Sequence, residues 1–240
     1  MSTHLPSARP DVNARPDGTR LREVVSYTRR GGRFTDKQQR AWDAYADQWV
    51  IPDEDAFAGL DLDRWFGREA PLIVEIGSGI GEATAVLAAA RPEANIVAFE
   101  VWRPGVAETL GRAGELGVTN LRLTSIDAAW ALRHVIAADS LAELWMFYPD
   151  PWPKKRHHKR RLVTPPFADL VASRLTPGAA WRLATDWGDY AEQIEQVVGA
   201  CAGLDGGPVE RWAERPSTRF ERRGLAAERE LHDFCYHKRA

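Results

Sequence analysis

The sequence has few residues that could form disulfides, metal sites or membrane spans. Its 240 residues include two cysteines, Cys201 and Cys235, whose spacing matches no metal-binding or redox motif. No run of 18 apolar residues occurs, which excludes a transmembrane helix. Residues 1–20 are polar, contain several prolines and lack the apolar core of a secretory signal. We therefore predict a cytoplasmic protein with reduced thiols, no metal site and no membrane association.

The composition is that of a folded chain. Hydrophobic residues make up 44% of the sequence and aromatic residues 10%, including ten tryptophans, which is too apolar for a disordered protein. A mass of 26.8 kDa fits one large domain. Residues 1–32 are basic, rich in proline and serine, and without periodicity. We expect a mobile N-terminal arm over 1–32 and a single domain over 33–240.

The charges are unevenly distributed along the chain. The formal net charge is only −2, from 32 Lys/Arg and 34 Asp/Glu. Residues 154–161, however, hold six Lys/Arg in eight positions and no acid, so the remainder has 26 Lys/Arg against 34 Asp/Glu. A cationic strip on an acidic body indicates a localised binding site for a polyanion.

Hydrophobic patterning indicates alternating strands and helices. Thr35 and Gln38 have the spacing of a capping box, which predicts a helix from there to Trp49. This alternation predicts an α/β fold with a doubly wound, mostly parallel sheet, whose ligands bind beyond the carboxyl ends of the strands. Strands are predicted at 72–76, 96–99, 121–123, 144–148, 180–184 and 231–238, and further helices at 82–90, 104–115, 167–175 and 190–200.

A glycine cluster follows the first predicted strand and opens the next helix. Gly77, Gly79 and Gly81 permit a tight turn and close approach of the backbone to a ligand. A dinucleotide-binding turn has its third glycine one position later, where this chain has Glu82. A carboxylate there would repel a pyrophosphate at the helix N-terminus. A nicotinamide cofactor is therefore disfavoured.

Acidic residues lie at the ends of successive strands. Glu75 precedes the glycine turn, Glu100 follows the second strand and Asp127 follows the third. Glu100 lies 19 positions after Gly81, a suitable distance for a carboxylate that binds ribose hydroxyls. A ligand that carries ribose, adenine and a positive charge fits such a ring of acids. This pattern favours S-adenosyl-L-methionine over NAD.

The fourth strand leads into a rigid acidic loop beside the cationic strip. Asp150 lies between Pro149 and Pro151, which restrict its backbone. Tyr148 and Trp152 flank it and offer aromatic faces on which a base could stack. Since the strip begins at Lys154, we interpret it as a nucleic-acid contact.

These motifs resemble those of the bacterial tRNA (guanine-N7-)-methyltransferases. The most specific is Pro-Asp-Pro-Trp joined to Lys-Lys-x-His-His-Lys-Arg-Arg, and Thr-x-Phe-Glu-x-x-Gly supports it. The resemblance covers the chain from about Arg33 to its end. The matching segments are 75–81, 100–105, 149–161, 185–187 and 218–224.

The resemblance implies a fold, a reaction and a set of site residues. The fold would be the class I methyltransferase sheet, mostly parallel with an antiparallel C-terminal strand. The methyl donor would be S-adenosyl-L-methionine and the acceptor a guanine in the variable loop of tRNA. Asp150 would be catalytic. By position, the cofactor-binding residues would be Glu75, Gly77, Gly79, Glu100, Asp127 and Asp150, the substrate-binding residues Lys154, Asp186, Thr218, Arg219, Phe220 and Glu221, and the RNA-binding residues Arg156, His157, His158, Lys159, Arg160 and Arg161.

Several alternatives stay open. Asp150 is expected to bind the N1–H and N2–H₂ edge of guanine, but Asp186 could share that role. Either Trp152 or Phe220 could hold the base. A catalytically silent RNA-binding protein on the same fold, or a methyltransferase with another RNA acceptor, is the competing function. A nicotinamide-dependent enzyme would leave the cationic strip without a purpose. The sequence leaves the oligomeric state and the set of tRNAs open.

Overall fold

The structure, a computed structural model, describes residues 26–27 and 32–240. The predicted mobile arm therefore lies outside the described residues, except for Ser26, Tyr27 and Gly32. Within the described part of the chain, no helix is both long and apolar enough to cross a bilayer.

A seven-stranded sheet forms the centre of the structure. Its spatial order is β3-β2-β1-β4-β5-β7-β6. The first five strands in this order are parallel, and β7 is antiparallel to both β5 and β6. This confirms the predicted mostly parallel sheet with an antiparallel C-terminal strand. The strands are β1 Leu72–Ile76, β2 Asn95–Phe99, β3 Leu121–Thr124, β4 Leu141–Phe147, β5 Leu175–Thr185, β6 Leu204–Val209 and β7 His232–Lys238.

Helices cover both faces of this sheet. One layer of buried side chains packs beneath α1, α4 and α5, and the other beneath α6, α7 and α8. Successive strand residues alternate between the layers, as Leu144 and Trp145 of β4 do. The helices are α1 Asp36–Trp49, α2 Asp53–Gly59, α3 Leu62–Phe66, α4 Glu82–Ala90, α5 Arg103–Glu115, α6 Ala128–His134, α7 Pro165–Arg174, α8 Gly188–Gly199 and α9 Arg219–Ala226, with a 3₁₀ helix at Lys155–Arg160.

The first helix begins as its sequence predicts. The Thr35 hydroxyl accepts from the Gln38 amide at 3.3 Å, and the Gln38 side chain accepts from the Thr35 amide at 2.8 Å. These two bonds satisfy backbone donors that the first turn of a helix leaves unpaired. The capping box is confirmed, and α1 packs along α5, where Tyr45 lies against Gly114.

The strand order places a crevice at the centre of the sheet. From β1 the chain proceeds outward through β2 to β3, and then returns to place β4 on the other side of β1. Loops at the carboxyl ends of β1 and β4 therefore diverge and leave a crevice between them. The glycine turn follows β1 and the Tyr148–Asp150 segment follows β4, so both sequence motifs meet there.

Candidate active site

A cleft of about 180 Å³ opens at the carboxyl ends of the strands. Its walls come from the turns after β1, β2, β3 and β4 and from the start of α9. Five of the predicted cofactor residues line it, together with two predicted substrate residues. The cofactor residues are Gly77, Gly79, Glu100, Asp127 and Asp150, and the substrate residues are Arg219 and Phe220 of α9.

The glycine turn is shaped by positive backbone angles and by a close helix contact. Gly77 and Gly79 have φ angles of 78° and 61°, which side chains with a Cβ rarely adopt. A Cβ on Gly105 of α5 would lie 2.2 Å from the Gly79 carbonyl oxygen. The turn can therefore hold its position only while residue 105 lacks a side chain.

Glu100 joins the first two turns of the cleft. One carboxylate oxygen accepts from the Gly79 amide at 2.7 Å, and the other accepts from the Trp102 amide at 2.8 Å. Burial raises the pKa of Glu100, the two amide bonds oppose that rise, and the charge of Asp150 adds to it. Glu100 thus braces the glycine turn as well as facing the cleft.

Asp127 caps the helix that follows β3. Its carboxylate accepts from the Trp130 amide at 2.7 Å, which makes it the N-cap of α6. Since Asp127 also lines the cleft, the helix cap holds a carboxylate at the ligand site. Helix α6 is not among the predicted helices, although an aspartate followed by Ala128 and Ala129 is a typical helix start.

Glu75 lies in β1 rather than in the lining of the cleft. It is 3% exposed, and its Oε2 atom has no hydrogen-bond partner among the described residues. Burial raises the pKa of Glu75 to about 7, and the charge of Glu100 acts in the same direction. A cationic ligand in the neighbouring cleft would favour its ionised form.

The raised pKa of Glu75 predicts a pH-dependent stability. The folded state holds this proton up to about pH 7, whereas the unfolded chain loses it near pH 4.3. The contribution of Glu75 to the free energy of unfolding should therefore fall by up to roughly 3 kcal/mol as pH rises from about 4.5 to 7. Denaturant unfolding at pH 5 and pH 8 measures this fall, and Glu75→Gln should remove it.

Glu93→Gln, at an exposed position, is the matched control for that comparison. It should keep the parent's pH dependence. Equal slopes in the parent and in Glu75→Gln would contradict the assignment of this proton to Glu75.

The loop after β4 presents Asp150 at the mouth of the cleft. Asp150 is exposed, and Tyr148 before it has a φ angle of 52°. Trp152 donates from its indole nitrogen to the Ser26 carbonyl at 2.9 Å. Arg160 lies 4.7 Å from the centre of the Trp152 ring. Phe220 has a similar contact, with the Arg219 guanidinium 4.8 Å from its ring centre. Phe220 lines the cleft and Trp152 does not, which favours Phe220 for the role of holding a base.

The cationic strip divides into exposed and buried residues. Lys154, Lys155, Arg156 and Lys159 are exposed along the 3₁₀ helix and its start. Arg161 is instead 3% exposed. Its guanidinium pairs with Asp189 at 2.7 Å and donates to Gln193 and to the Pro151 carbonyl. Arg161 therefore anchors the strip to α8, and the structure does not place it with the exposed cations.

The start of α9 is fastened to the glycine turn. Thr218 caps the helix by accepting from the Glu221 amide at 3.3 Å. Glu82 of α4 accepts from the Arg219 amide and pairs with Arg222 at 2.7 Å. The glutamate that weakens a dinucleotide interpretation thus has a positive role here, because it holds α9 beside the cofactor turn.

Four of the six predicted substrate residues lie outside the cleft lining, namely Lys154, Asp186, Thr218 and Glu221. Asp186 pairs with Arg229 at 2.9 Å and lines a second opening beside α8. Glu221 is 3% exposed and accepts from Arg211, Arg215 and the Tyr148 hydroxyl. The structure therefore brings Arg219 and Phe220 to the cleft but not Asp186 or Glu221.

Ser26 and Tyr27 at the cleft, and Arg215 beneath its wall, are not among the site residues that the sequence predicts. Ser26 and Tyr27 line the cleft, although the N-terminal arm matches no motif. Arg215 lies beneath Tyr148, with its guanidinium 5.3 Å from the ring centre. Trp102 lines the cleft within a segment that the family resemblance marks. Nothing in the local sequence around Arg215 identifies its distant partners.

The cleft fits the adenosyl group and the positive charge of S-adenosyl-L-methionine. A Cβ on Gly77 would meet nothing within 4 Å, so the turn leaves open space for a ligand. Glu100 and Asp127 line the cleft and offer carboxylates for ribose and adenine. Asp150 adds a third carboxylate at its mouth, which suits a cationic ligand. No group of three or more potential ligands among the described residues is arranged for a metal ion.

Comparisons with known proteins agree with this geometry. A family model described as "Putative methyltransferase" matches residues 69–234. The crystal structure of the 16S rRNA methyltransferase KamB superposes with a TM-score of 0.52 at 16% identity, covering 92% of this chain and 100% of that one. At this identity the likeness concerns the fold alone.

Several bacterial relatives match nearly the whole chain. A tRNA (guanine-N(7)-)-methyltransferase of Nocardioides sp. is 58% identical, over 100% of this chain and 98% of the relative. Proteins of the same description from Cutibacterium acnes and Halorhodospira halophila are 44% and 45% identical, over 98% and 91% of this chain and 91% and 96% of the relatives. The chain therefore belongs to the tRNA (guanine-N(7)-)-methyltransferase family.

Proposed function

We propose that this chain transfers a methyl group to N7 of a guanine in the variable loop of tRNA, in the cytoplasm, and that residues 33–240 form the catalytic domain. S-adenosyl-L-methionine is the cosubstrate. The observation that carries the proposal is the meeting of the glycine turn and Asp150 in one cleft. The exposed cations of residues 154–159 begin four positions after Asp150 in the chain. Family membership supports the reaction.

Methylation of guanine N7 requires no proton transfer from the attacking atom. When bound, S-adenosyl-L-methionine supplies a methyl group on a positively charged sulfur. The N7 lone pair of guanine would form a bond to the methyl carbon, while the carbon–sulfur bond breaks and leaves its electron pair on sulfur. N7 carries no proton, so the enzyme needs no general base there. Its residues have to hold the base in the reactive orientation, and orientation alone can contribute roughly 7–11 kcal/mol in the most favourable cases.

Asp150 is the residue best placed to orient the base. It is exposed at the mouth of the cleft and near Glu100, which faces the cofactor turn. Its carboxylate accepts from the guanine N1–H and N2–H₂ groups, which adenine lacks as a pair of donors. The same negative charge stabilises the positive charge that the base acquires on methylation. Asp150 thereby selects guanine over adenine and also raises the rate of methyl transfer.

Phe220 is the aromatic side chain proposed to hold the guanine. It lines the cleft and is 37% exposed. The Arg219 guanidinium lies over its ring, 4.8 Å from the centre, so the base would stack on the opposite face. N7 lies on the major-groove edge of a base, which an RNA helix conceals. The target guanine must therefore leave its stack before it reaches the cleft, and an exposed aromatic ring replaces part of the lost stacking.

The exposed cations bind tRNA phosphates. The double variant Lys155→Glu, Lys159→Glu should raise KM for tRNA by about tenfold or more near physiological salt, because it replaces two attractive contacts with repulsive ones. The slope of log KM against log salt should decrease by about 1.4–1.8, at roughly 0.7–0.9 per contact. Methylation kinetics at four salt concentrations measure both quantities.

Arg133→Glu is the control for that charge reversal. Arg133 is exposed near the end of α6 that points away from the cleft, so its reversal should leave the slope unchanged. The Kd for S-adenosyl-L-methionine should be the same in all three proteins. An unchanged salt slope in the double variant would remove the 3₁₀ helix from the proposed interface.

A choice among acceptors tests the proposed function as a whole. Labelled S-adenosyl-L-methionine is incubated with unmodified tRNA, with ribosomal RNA and with free guanosine. We expect label in tRNA only, since phosphate contacts and base capture are both required. Label in ribosomal RNA would support a different RNA acceptor, and binding of tRNA without transfer would support a silent RNA-binding protein.

A further inference from the structure

The residue before the Pro149–Asp150 pair is held in an unfavourable backbone conformation. Tyr148 has a φ angle of 52°, in the left-handed region that bulky side chains avoid. Such a conformation persists only where surrounding contacts determine it. Its amide donates to the Ala184 carbonyl at 2.7 Å, which fixes one side of the residue. Hydrogen bonds of the Tyr148 hydroxyl group fix its side chain.

That hydroxyl group belongs to a buried network of charges. It accepts from Arg215 at 3.0 Å and donates to Glu221 at 3.1 Å. Arg215 has a fully buried side chain, pairs with Glu221 at 2.7 Å, and donates to both oxygens of Asp233 at 2.8 Å. Asp233 lies in β7, within the sheet. Tyr148 is thereby connected through Arg215 to the rigid core.

We propose that Arg215, Glu221, Asp233 and the Tyr148 hydroxyl form a positioning network that sets the direction in which Asp150 enters the cleft. Glu221 acts in it as a counter-ion, although the family resemblance marks it as a substrate-binding residue. At 3% exposure it is enclosed by Arg211, Arg215 and Tyr148 and cannot reach a tRNA. This inference rests on the proposed role of Asp150.

The network also connects the two walls of the cleft. Glu221 is in the first turn of α9, directly after Phe220, and Tyr148 is in the opposite wall, after β4. A buried arginine between them keeps Asp150 and Phe220 at a constant separation. Its full set of paired charges makes Arg215 unsuitable for a first test, because removal of one partner from a buried ion pair is strongly destabilising.

Tyr148→Phe is the least disruptive variant of this network. It removes one oxygen atom, keeps the ring beside Arg215, and leaves the pairs of Arg215 with Glu221 and Asp233 intact. We expect kcat to fall about tenfold, while KM for tRNA and the Kd for S-adenosyl-L-methionine stay within twofold. Tyr236→Phe is the matched control, since Tyr236 is buried in β7 and its hydroxyl has no hydrogen-bond partner among the described residues. It should retain the parent kcat.

A double-mutant cycle with Asp150→Asn shows whether Tyr148 acts through Asp150. If it does, Tyr148→Phe should reduce kcat by less than twofold in the Asp150→Asn background. Parent-like kcat in Tyr148→Phe, or the same tenfold loss in both backgrounds, would overturn the positioning role. Parent-like kcat in Asp150→Asn would instead overturn the proposed role of Asp150 and this inference with it.

Glu221→Gln separates positioning from direct substrate binding. The amide keeps the shape of the side chain but loses its charge, so the hold on Arg215 and Tyr148 weakens. Arg215 keeps Asp233 as a charged partner, and thermal unfolding checks that the variant is folded at the assay temperature. Positioning predicts a lower kcat at an unchanged KM for tRNA. A higher KM at an unchanged kcat would show that Glu221 binds the substrate, and would overturn the inference.

Discussion

Asp150→Asn should lower the rate of methyl transfer to tRNA by about 100-fold while leaving the Kd for S-adenosyl-L-methionine within threefold. The loss corresponds to roughly 2.7 kcal/mol of transition-state stabilisation, typical of removing one charged or donor group from a developing charge. Asparagine keeps the shape of the side chain but removes the negative charge and one of two acceptors. Single-turnover rates with labelled cosubstrate, together with titration calorimetry, measure the two quantities.

The control for this substitution is Asp47→Asn. Asp47 is exposed on α1, so its variant should match the parent in rate and in cosubstrate affinity. A parent-like rate in Asp150→Asn would contradict the assignment of the guanine edge to this carboxylate. Loss of cosubstrate affinity with no further loss of rate would assign Asp150 to the cofactor alone.

Gly105→Ala should weaken the binding of S-adenosyl-L-methionine by at least tenfold. The added methyl carbon would lie 2.2 Å from the Gly79 carbonyl oxygen and 2.9 Å from the Trp102 ring. Relief of this overlap requires the glycine turn or α5 to move, at a cost of about 1–3 kcal/mol. That cost exceeds the gain of about 1 kcal/mol that alanine normally brings to a helix interior. Calorimetric titration and thermal unfolding measure both effects.

Gly111→Ala in the same helix is the matched control. Its added carbon would lie 3.4 Å from the Ala41 side chain, an ordinary contact that displaces nothing near the cleft. We expect unchanged affinity and equal or higher stability. Parent-like affinity in Gly105→Ala would show that the turn tolerates the shift, and that its position is not limited by residue 105.

Much of the fold can be predicted from local patterns. The apolar run at 72–76 and the helix at 82–90 are reproduced in β1 and α4, because buried strands and helix boundaries leave strong local signals. The edge strand β6 is not predictable in this way. Gly206, Gly207 and Pro208 disfavour a strand, and it forms because β7 supplies a partner along its whole length.

Some features of the candidate site can also be predicted from the sequence, and others cannot. The cleft positions of Glu100, Asp127 and Asp150 follow from the rule that parallel strands end at one edge of the sheet. The burial of Arg161 and Glu221 does not follow from any local rule, because the partners that bury them, Asp189 and Arg215, are set by tertiary packing. Charged residues in a motif therefore predict the region of a site better than they predict which side chains face the ligand.

The most direct test of the account is nucleoside analysis of tRNA that the enzyme has labelled. Unmodified tRNA is incubated with labelled S-adenosyl-L-methionine and digested, and the labelled nucleoside is identified and mapped. The account predicts 7-methylguanosine at one position in the variable loop, made by the parent and about 100-fold more slowly by Asp150→Asn. Label in any other nucleoside, or equal label with Asp150→Asn, would contradict it.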